Sequence, residues 1–388
     1  MKKLRAGIIG AGFIGPAHIE AIRRLGFVDV VALAGSNLES SCKHAAELNI
    51  PLAYGSYKEM LANPDIDVIH NCTPNHVHFS INMEAIAAGK HILSEKPLAM
   101  TSKESAELLK AAQDKGIVHA VNYNYRQYPL VQQMASMVRG GELGQILVVH
   151  GSYMQDWLMY ETDYNWRMNP EIGGKSRAIA DIGSHWCDTA QFVLNKKITA
   201  VFADLVTIYP VRKKAKQPMD TYEVQKSDAE YEDVDIETED YATVIVRFED
   251  GTRGTFTVSQ VSAGRKNQLV LELDGSVKAV SWNQEQPEQL WIGQREKSNE
   301  VLKADANLLN KEAQPFIHYP SGHNEGWPDA LKNIMSNFYQ FIRDEKKIGE
   351  DQPAFATFAD GHSTMCIIDA ILKSYAEQRW VEVEEVLS

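Results

Sequence analysis

The stretch Ala6-Gly7-Ile8-Ile9-Gly10-Ala11-Gly12-Phe13-Ile14-Gly15 decides the fold. An apolar β-compatible run enters a glycine string, and a helix-compatible stretch follows to Leu25. This is the strand, turn and helix order that a dinucleotide-phosphate site requires. Gly10 permits the tight turn, Gly12 lets the backbone approach a pyrophosphate, and Gly15 lets helix and strand pack closely. Lys2, Lys3 and Arg5 ahead of apolar residues also suit a signal peptide. The four glycines, the break at Pro16-Ala17-His18 and the lack of an Ala-x-Ala cleavage pattern argue against that reading.

Working outward, the chain has 388 residues, 44% hydrophobic and 23% charged, enough for two globular domains with their own cores. A formal charge of -13 without a Lys/Arg stripe disfavours nucleic acid as a partner. Cys42, Cys72, Cys187 and Cys366 are scattered and form no C-x-x-C pair. Reduced thiols in a cytoplasmic protein are therefore expected rather than a disulfide frame or a zinc site. No run approaches the roughly 18 apolar residues of a membrane span, so no membrane partner is expected.

From the start to Tyr123, β-rich runs alternate with helical patterns. Strands are expected at Val28–Ala34, Val68–Cys72, His91–Glu95 and Val118–Asn122, with a helix over Ser102–Lys115. Such alternation implies an α/β domain with a parallel sheet whose ligands sit at the carboxyl ends of the strands. Past Tyr125 the pattern changes. A helix over Pro129–Arg139 precedes a strand at Ile146–Tyr153, and Tyr241–Phe248, Gly254–Gln260 and Leu269–Leu273 alternate as strands around Asp-Gly turns. This predicts an α+β domain on a large, mostly antiparallel open sheet. Ten of the 21 residues from Asp220 to Asp240 are acidic and one, Lys226, is basic, which predicts a solvated surface loop.

The place where a dinucleotide fold usually carries a ribose-binding carboxylate holds Gly35, then Ser36 and Asn37. NADP is therefore not repelled there, yet no arginine stands beside Ser36 to bind its phosphate. Lys96 follows the strand ending at Glu95 and precedes Pro97, where a reacting nicotinamide lies in such a fold. An ammonium desolvated near a positively charged ring is suited to proton handling near neutral pH. In Asp181-Ile182-Gly183-Ser184-His185-Trp186-Cys187-Asp188, Ser184 is expected to cap a helix running to Leu194, with His185 in its first turn beside two carboxylates. A carboxylate on one imidazole nitrogen leaves the other free to accept a proton. No second histidine stands at ligand spacing, so no metal is expected. Trp157, Asp163, Trp166, Arg167 and Arg177 suit a polyhydroxylated ring, with aromatic faces against C–H groups and charges fixing hydroxyls. His323, in a Gly-containing loop, is a weaker candidate for the same pocket.

Together, the glycine string, Cys72-Thr73-Pro74-Asn75-His76-Val77-His78, Glu95-Lys96-Pro97 and Asp181-Ile182-Gly183-Ser184-His185 resemble the glucose-fructose oxidoreductase, inositol dehydrogenase and MocA (Gfo/Idh/MocA) family. The resemblance covers nearly the whole chain, in order and spacing. It implies a Rossmann domain over 1–124 and an α+β domain over 125–388 for substrate binding and for a homodimer or homotetramer contact. It implies Lys96, Asp181 and His185 as the catalytic set, and a cofactor crevice lined by Gly10, Gly12, Phe13, Ile14, Gly15, Ser36, Asn37, Thr73, Pro74, Asn75, His78, Glu95, Lys96 and Asn124. Substrate contacts are implied at Lys96, Tyr125, Trp157, Asp163, Trp166, Arg167, Arg177, Asp181, His185 and His323. The expected activity is hydride transfer between a secondary ring alcohol of a sugar, anhydro-sugar or cyclitol and NAD, with NADP admitted. The stretches around Asp163 and Arg177 look most like the branch with levoglucosan and glucoside dehydrogenases. Two rivals are a glycosidase that oxidises transiently with tightly held NAD and a non-catalytic nucleotide sensor; the lysine, aspartate and histidine favour an enzyme over the sensor.

Overall fold

Chain contacts in the computed structural model, which describes residues 3–216 and 230–386, divide the protein into two compact units. The first joins residues 1–127 to Trp327–Met365, and the second joins 128–326 to 366–388. The sequence predicts one boundary, at 124/125; the return of the chain to the first unit at Trp327 departs from that expectation.

The first unit runs β1 (Leu4–Ile9), α1 (Ile14–Arg23), β2 (Val28–Ala34), α2 (Leu38–Glu47), β3 (Leu52–Tyr54), α3 (Tyr57–Leu61), β4 (Val68–Asn71), α4 (His78–Ala87), β5 (His91–Ser94), α5 (Ser102–Lys115) and β6 (His119–Val121). The six strands are parallel in the order β3-β2-β1-β4-β5-β6, the doubly wound order with its switch between β1 and β4. Alternate residues feed two cores, one on each sheet face. Ile8, Leu33, Val68 and Leu93 belong to one, and Ile9, Ala34, Ile69 and Ile92 to the other. β3, three residues long, is the strand the sequence did not announce.

The second unit begins with α6 (Pro129–Arg139), β7 (Ile146–Met154), the single turn α7 (Pro170–Gly173) and α8 (Ser184–Leu194). Strands β8 (Ile198–Val206), β9 (Val211–Ala215), β10 (Tyr231–Asp235), β11 (Tyr241–Phe248), β12 (Arg253–Ser259), β13 (Gln268–Gly275), β14 (Ala279–Asn283), β15 (Gln289–Gly293) and β16 (Glu300–Lys303) follow. With β17 (Val381–Glu382) they build a nine-stranded sheet, β16-β15-β14-β13-β7-β12-β11-β8-β17, antiparallel except for the β7/β12 pair. β9 and β10 form a separate ribbon. α8 is pinned to the sheet by Trp186, whose indole N–H donates to the Val270 carbonyl at 3.1 Å and whose ring stacks on Phe256. Gly151 makes room for it: a Cβ there sits 2.5 Å from the Trp186 nitrogen and 2.0 Å from the Val270 oxygen.

The acidic stretch corrects the sequence reading. Residues 220–229 lie outside the described residues, but Tyr231–Asp235 is strand β10, and Glu239 and Asp240 are buried. Asp240 accepts from the Arg177 and Arg212 guanidiniums, all three side chains fully buried, and from the Ile208 and Tyr209 amides. Those two cations draw Asp240 inward against the local composition.

The chain returns to the first unit as α9 (Trp327–Arg343), whose Leu331, Ile334, Met335, Phe338 and Tyr339 enter the core on one sheet face. Arg24, just after α1, is paired with Asp329 at 2.5 Å. α10 (Phe358–Glu377) begins in the first unit and ends in the second. No helix among the described residues is long and apolar enough to cross a membrane.

Candidate active site

In the first unit the site residues gather where β1, β4 and β5 end. Gly10 has φ +99, and a Cβ on it comes within 2.5 Å of the Cys72 carbonyl; one on Gly15 lies 2.3 Å from the Gly10 carbonyl. The fold itself therefore demands both glycines. Gly12 differs: a Cβ there meets no protein atom within 4 Å, so its requirement comes from whatever approaches the loop. Phe13 and Ile14 open α1, whose N-terminal amides and dipole suit a pyrophosphate. At the end of β2, Ser36 and Asn37 are exposed, and Asn37 Oδ1 caps α2 by accepting from the Ser40 amide at 2.9 Å. This open glycine turn, helix start and uncharged polar pair fit a dinucleotide.

The loops after β4 and β5 are tied together by His78. Its Nδ1 lies 2.7 Å from the Pro97 carbonyl and its Nε2 2.7 Å from that of Thr73. Burial lowers its pKa despite those two carbonyls. Thr73 donates its hydroxyl to Asn71 at 2.6 Å; Pro74 is exposed and Asn75 opens a short 3-10 turn. The Lys96–Pro97 bond is cis, and Lys96 is half-buried. Its neighbour Glu95 is buried and takes bonds at one oxygen from His18 at 2.9 Å and Asn122 at 2.6 Å. Burial raises the Glu95 pKa, but the His18 bond, Lys96 and Asn122 outweigh it and bring the group down to about 2. Asn124 and Tyr125 lie in a buried 3-10 turn, each 2% exposed.

In the second unit, residues 179–183 form a π-helical turn that runs straight into α8. Ser184 has helical φ and ψ and returns its hydroxyl to the Ala180 carbonyl at 2.8 Å, so it is not the cap the sequence suggested. The helix start is held instead by Glu239, which accepts from the Arg177 and Ile179 amides and the Ser176 hydroxyl at 2.7–3.0 Å. Asp181 thus sits inside the wide turn, one turn before the buried His185, an irregularity frequent at functional sites. The Arg177 side chain is 0% exposed and committed to Asp240, which corrects its assignment to the substrate. Its work is to brace the turn, where its carbonyl also accepts from the Asp181 amide at 2.8 Å.

The structure does bring Trp157, Trp166, Arg167 and Asp181 together. The Arg167 guanidinium lies 4.5 Å from the Trp166 ring centre and 5.9 Å from that of Trp157, with its Nε 3.6 Å from Asp181. Asp181 also accepts from Gln260 at 3.0 Å. Asp163 is half-buried and accepts from the Tyr160 amide. His323 stands apart on an exposed loop, bonded at 3.0 Å to the Pro320 carbonyl. Residues the sequence did not reveal complete the group. Tyr153, whose ring is 6.2 Å from that of His185, donates to Asn267 at 2.6 Å; Gln155 donates to the same oxygen at 2.8 Å and receives the Trp157 N–H. β7 and β12 run parallel with Met154 opposite Ser259, so Gln155 and Gln260 emerge from the same end of the sheet. Sheet register, which no local motif encodes, gathers them. Register also brings His150 within 3.6 Å of Glu272 and 3.4 Å of Asp274, three potential metal-ligand side chains that no histidine spacing in the sequence announces.

Comparison with known proteins follows the same division. A model of an oxidoreductase family with an NAD-binding Rossmann fold matches residues 4–123, and one of a GFO/IDH/MocA C-terminal domain matches residues 131–281. Levoglucosan dehydrogenase of Pseudarthrobacter phenanthrenivorans is 30% identical over 399 residues, covering 100% of both chains. The 1,5-anhydro-D-fructose reductase of Ensifer adhaerens is 35% identical over 196 residues, 49% of this chain and 56% of that one. The solved complex of levoglucosan dehydrogenase with NADH and L-sorbose superposes with a TM-score of 0.87 at 27% identity, covering 99% of each chain.

Proposed function

From the membership of this chain in the Gfo/Idh/MocA family of NAD-dependent oxidoreductases, we propose that it oxidises a secondary ring alcohol of a sugar, anhydro-sugar or cyclitol. The observation that carries the substrate class is the group of Trp157, Trp166, Arg167 and Asp181 one helical turn from His185. Flat aromatic faces and fixed polar groups suit a polyhydroxylated ring. The levoglucosan dehydrogenase relative, aligned end to end, supports the anhydro-sugar branch.

NAD, when bound, supplies the hydride acceptor. Gly10, Gly12 and Gly15 with the α1 amides at Phe13 and Ile14 hold its phosphates, Ser36 and Asn37 meet the adenosine ribose, and Thr73, Pro74, Asn75, His78, Glu95 and Asn124 shape the remaining crevice. His185, oriented by Asp181, takes the hydroxyl proton, and Lys96 holds the same oxygen and shares in the proton transfer. Tyr125, Trp157, Asp163, Trp166 and Arg167 position the ring. Arg177 and His323 are left out of this set. The outward face of the nine-stranded sheet carries exposed Val148, Val206 and Ile245, which supports a homodimer or homotetramer through that face. All four cysteines are free thiols, in keeping with the cytoplasmic location we assign.

The test crosses NAD and NADP with levoglucosan, inositols, glucose and glucosides while reduced nicotinamide is followed. Net reduction with a cyclic polyol, lost by at least about a thousandfold in Lys96→Ala and His185→Ala while NADH still binds, is the expected result. Near-normal turnover in both variants refutes the roles, and phenol release from an aryl glycoside without net reduction refutes the reaction.

A further inference from the structure

Glu95 is the end of a chain of buried groups that crosses the first unit and that the reaction above does not use. His18 Nε2 lies 2.9 Å from Glu95 Oε1, His18 Nδ1 is 3.0 Å from His70 Nδ1, and His70 Nε2 is 2.7 Å from the Tyr339 hydroxyl. His18, His70 and Tyr339 are all 0% exposed, on α1, β4 and α9 respectively. The other oxygen of Glu95 accepts from the Lys96 amide at 3.2 Å.

Hydrogen-bond accounting fixes the direction of the chain. Burial, with Asp67 and Cys72 adding to it, pushes the Tyr339 pKa well up, so the phenol keeps its proton. Burial and the His18 ring hold His70 well below the ordinary imidazole range, so its ring is neutral and has one N–H. If that N–H pointed at Tyr339, the phenolic hydrogen would be left in the core without an acceptor, which a buried polar group rarely tolerates. With the phenol donating to His70, His70 to His18 and His18 to Glu95, each of these groups has a partner and the chain ends on the Glu95 carboxyl. The remaining polar and charged neighbours of this carboxylate are Asn122, Cys72, His78 and Lys96.

We propose that Tyr339, His70 and His18 are positioning residues for the chemistry at Lys96: a one-way hydrogen-bond relay that keeps Glu95 a carboxylate and locks its second oxygen against the Lys96 backbone. The inference rests on the role given to Lys96 above. A helix contributed from late in the chain thereby sets the geometry of a loop after β5. Tyr339→Phe keeps the ring and removes only the terminal donor.

The experiment is a double-mutant cycle on the full-length protein, with kcat, the KM for the sugar and NADH affinity measured for Tyr339→Phe, Glu95→Gln and the pair. Tyr339→Phe is expected to lower kcat about tenfold with sugar KM and NADH affinity within about twofold. In the Glu95→Gln background the same change should alter kcat by less than about twofold, because the relay acts only through that carboxylate. An unchanged kcat in Tyr339→Phe, or effects that multiply fully in the pair, overturns the relay. Should Tyr339→Phe fail to fold, His18→Gln is read in the same cycle against the same criteria. Lys96→Ala separates the two proposals: if it keeps turnover, the role of Lys96 falls, whereas an inactive Lys96→Ala beside a fully active Tyr339→Phe overturns the relay alone.

Discussion

Glu95 in the first unit and Asp240 in the second are both buried carboxylates kept ionised, by different balances of hydrogen bonding and charge. Glu95 receives hydrogen bonds from His18, Asn122 and the Lys96 amide, with no guanidinium among its bonded partners. Asp240 is clamped between Arg177 and Arg212, and burial would raise its pKa if those two cations did not lower it. Hydrogen bonds hold a geometry; a buried ion triad holds a fold, since losing its anion strands two cations in the core. The carboxylate beside Lys96 is held mostly by neutral hydrogen-bond donors, while the one that anchors Arg177 is held between two guanidiniums.

The strongest way to break this contrast is Asp240→Asn. It should cost about 3–5 kcal/mol in urea unfolding, whereas Glu95→Gln should cost about 1–3 kcal/mol. Equal losses would remove the distinction. A second pair sharpens the account of the glycine turn. Gly15→Ala should destabilise the protein by about 1–3 kcal/mol, because its Cβ lies 2.3 Å from the Gly10 carbonyl. Gly12→Ala should unfold at the wild-type denaturant midpoint yet bind NADH at least about tenfold more weakly; normal binding would show that nothing approaches that backbone.

Acid provides a smaller, graded test. The folded-state pKa of Glu95 is depressed from 4.5 to about 2, so its contribution is complete above pH 4.5 and is lost as pH falls toward 2. Asp360, beside Arg126 in the same unit, is depressed from 3.8 to about 2 and acts in the same direction. Urea midpoints measured from pH 6 downward should fall through this window, and Glu95→Gln should flatten that fall; an unaltered slope would assign it elsewhere. The smallest effect is expected at Arg167→Ala. Partly exposed and resting on two indoles, Arg167 should contribute only about 0.5–1 kcal/mol to stability, while the KM for the sugar rises severalfold.

How much of this was legible in the sequence follows from how local each constraint is. The glycine turn and the strands of the first unit could be read because steric demands at Gly10 and Gly15 and the run of apolar residues in β2 act over a few residues. The group around Arg167 could be read because Asp163 to Arg167 is dense in side chains of matching chemistry. Glu239 and Asp240 could not, because the composition around them announces solvent and their partners are distant in the chain: the Ser176 hydroxyl and the Arg177 and Ile179 amides for Glu239, the Arg177 and Arg212 guanidiniums for Asp240. Arg177 departs from the expectation for the same reason: its partner, Asp240, lies far away in the chain. Gln155, Gln260 and Asn267 depend on strand register, and Tyr339 on the return of the chain to the first unit, neither of which leaves a mark in neighbouring residues.

The most direct test of the central claim is isotopic. A cyclic polyol that reduces NAD in the panel is deuterated at the carbon it loses hydrogen from, and the reduced cofactor is examined by mass spectrometry. The account predicts that deuterium arrives on the nicotinamide ring in equal number to sugar oxidised, and that Lys96→Ala and His185→Ala remove the transfer while NADH binding persists. Deuterium lost to water, or returned to the sugar without net reduced cofactor, would contradict it.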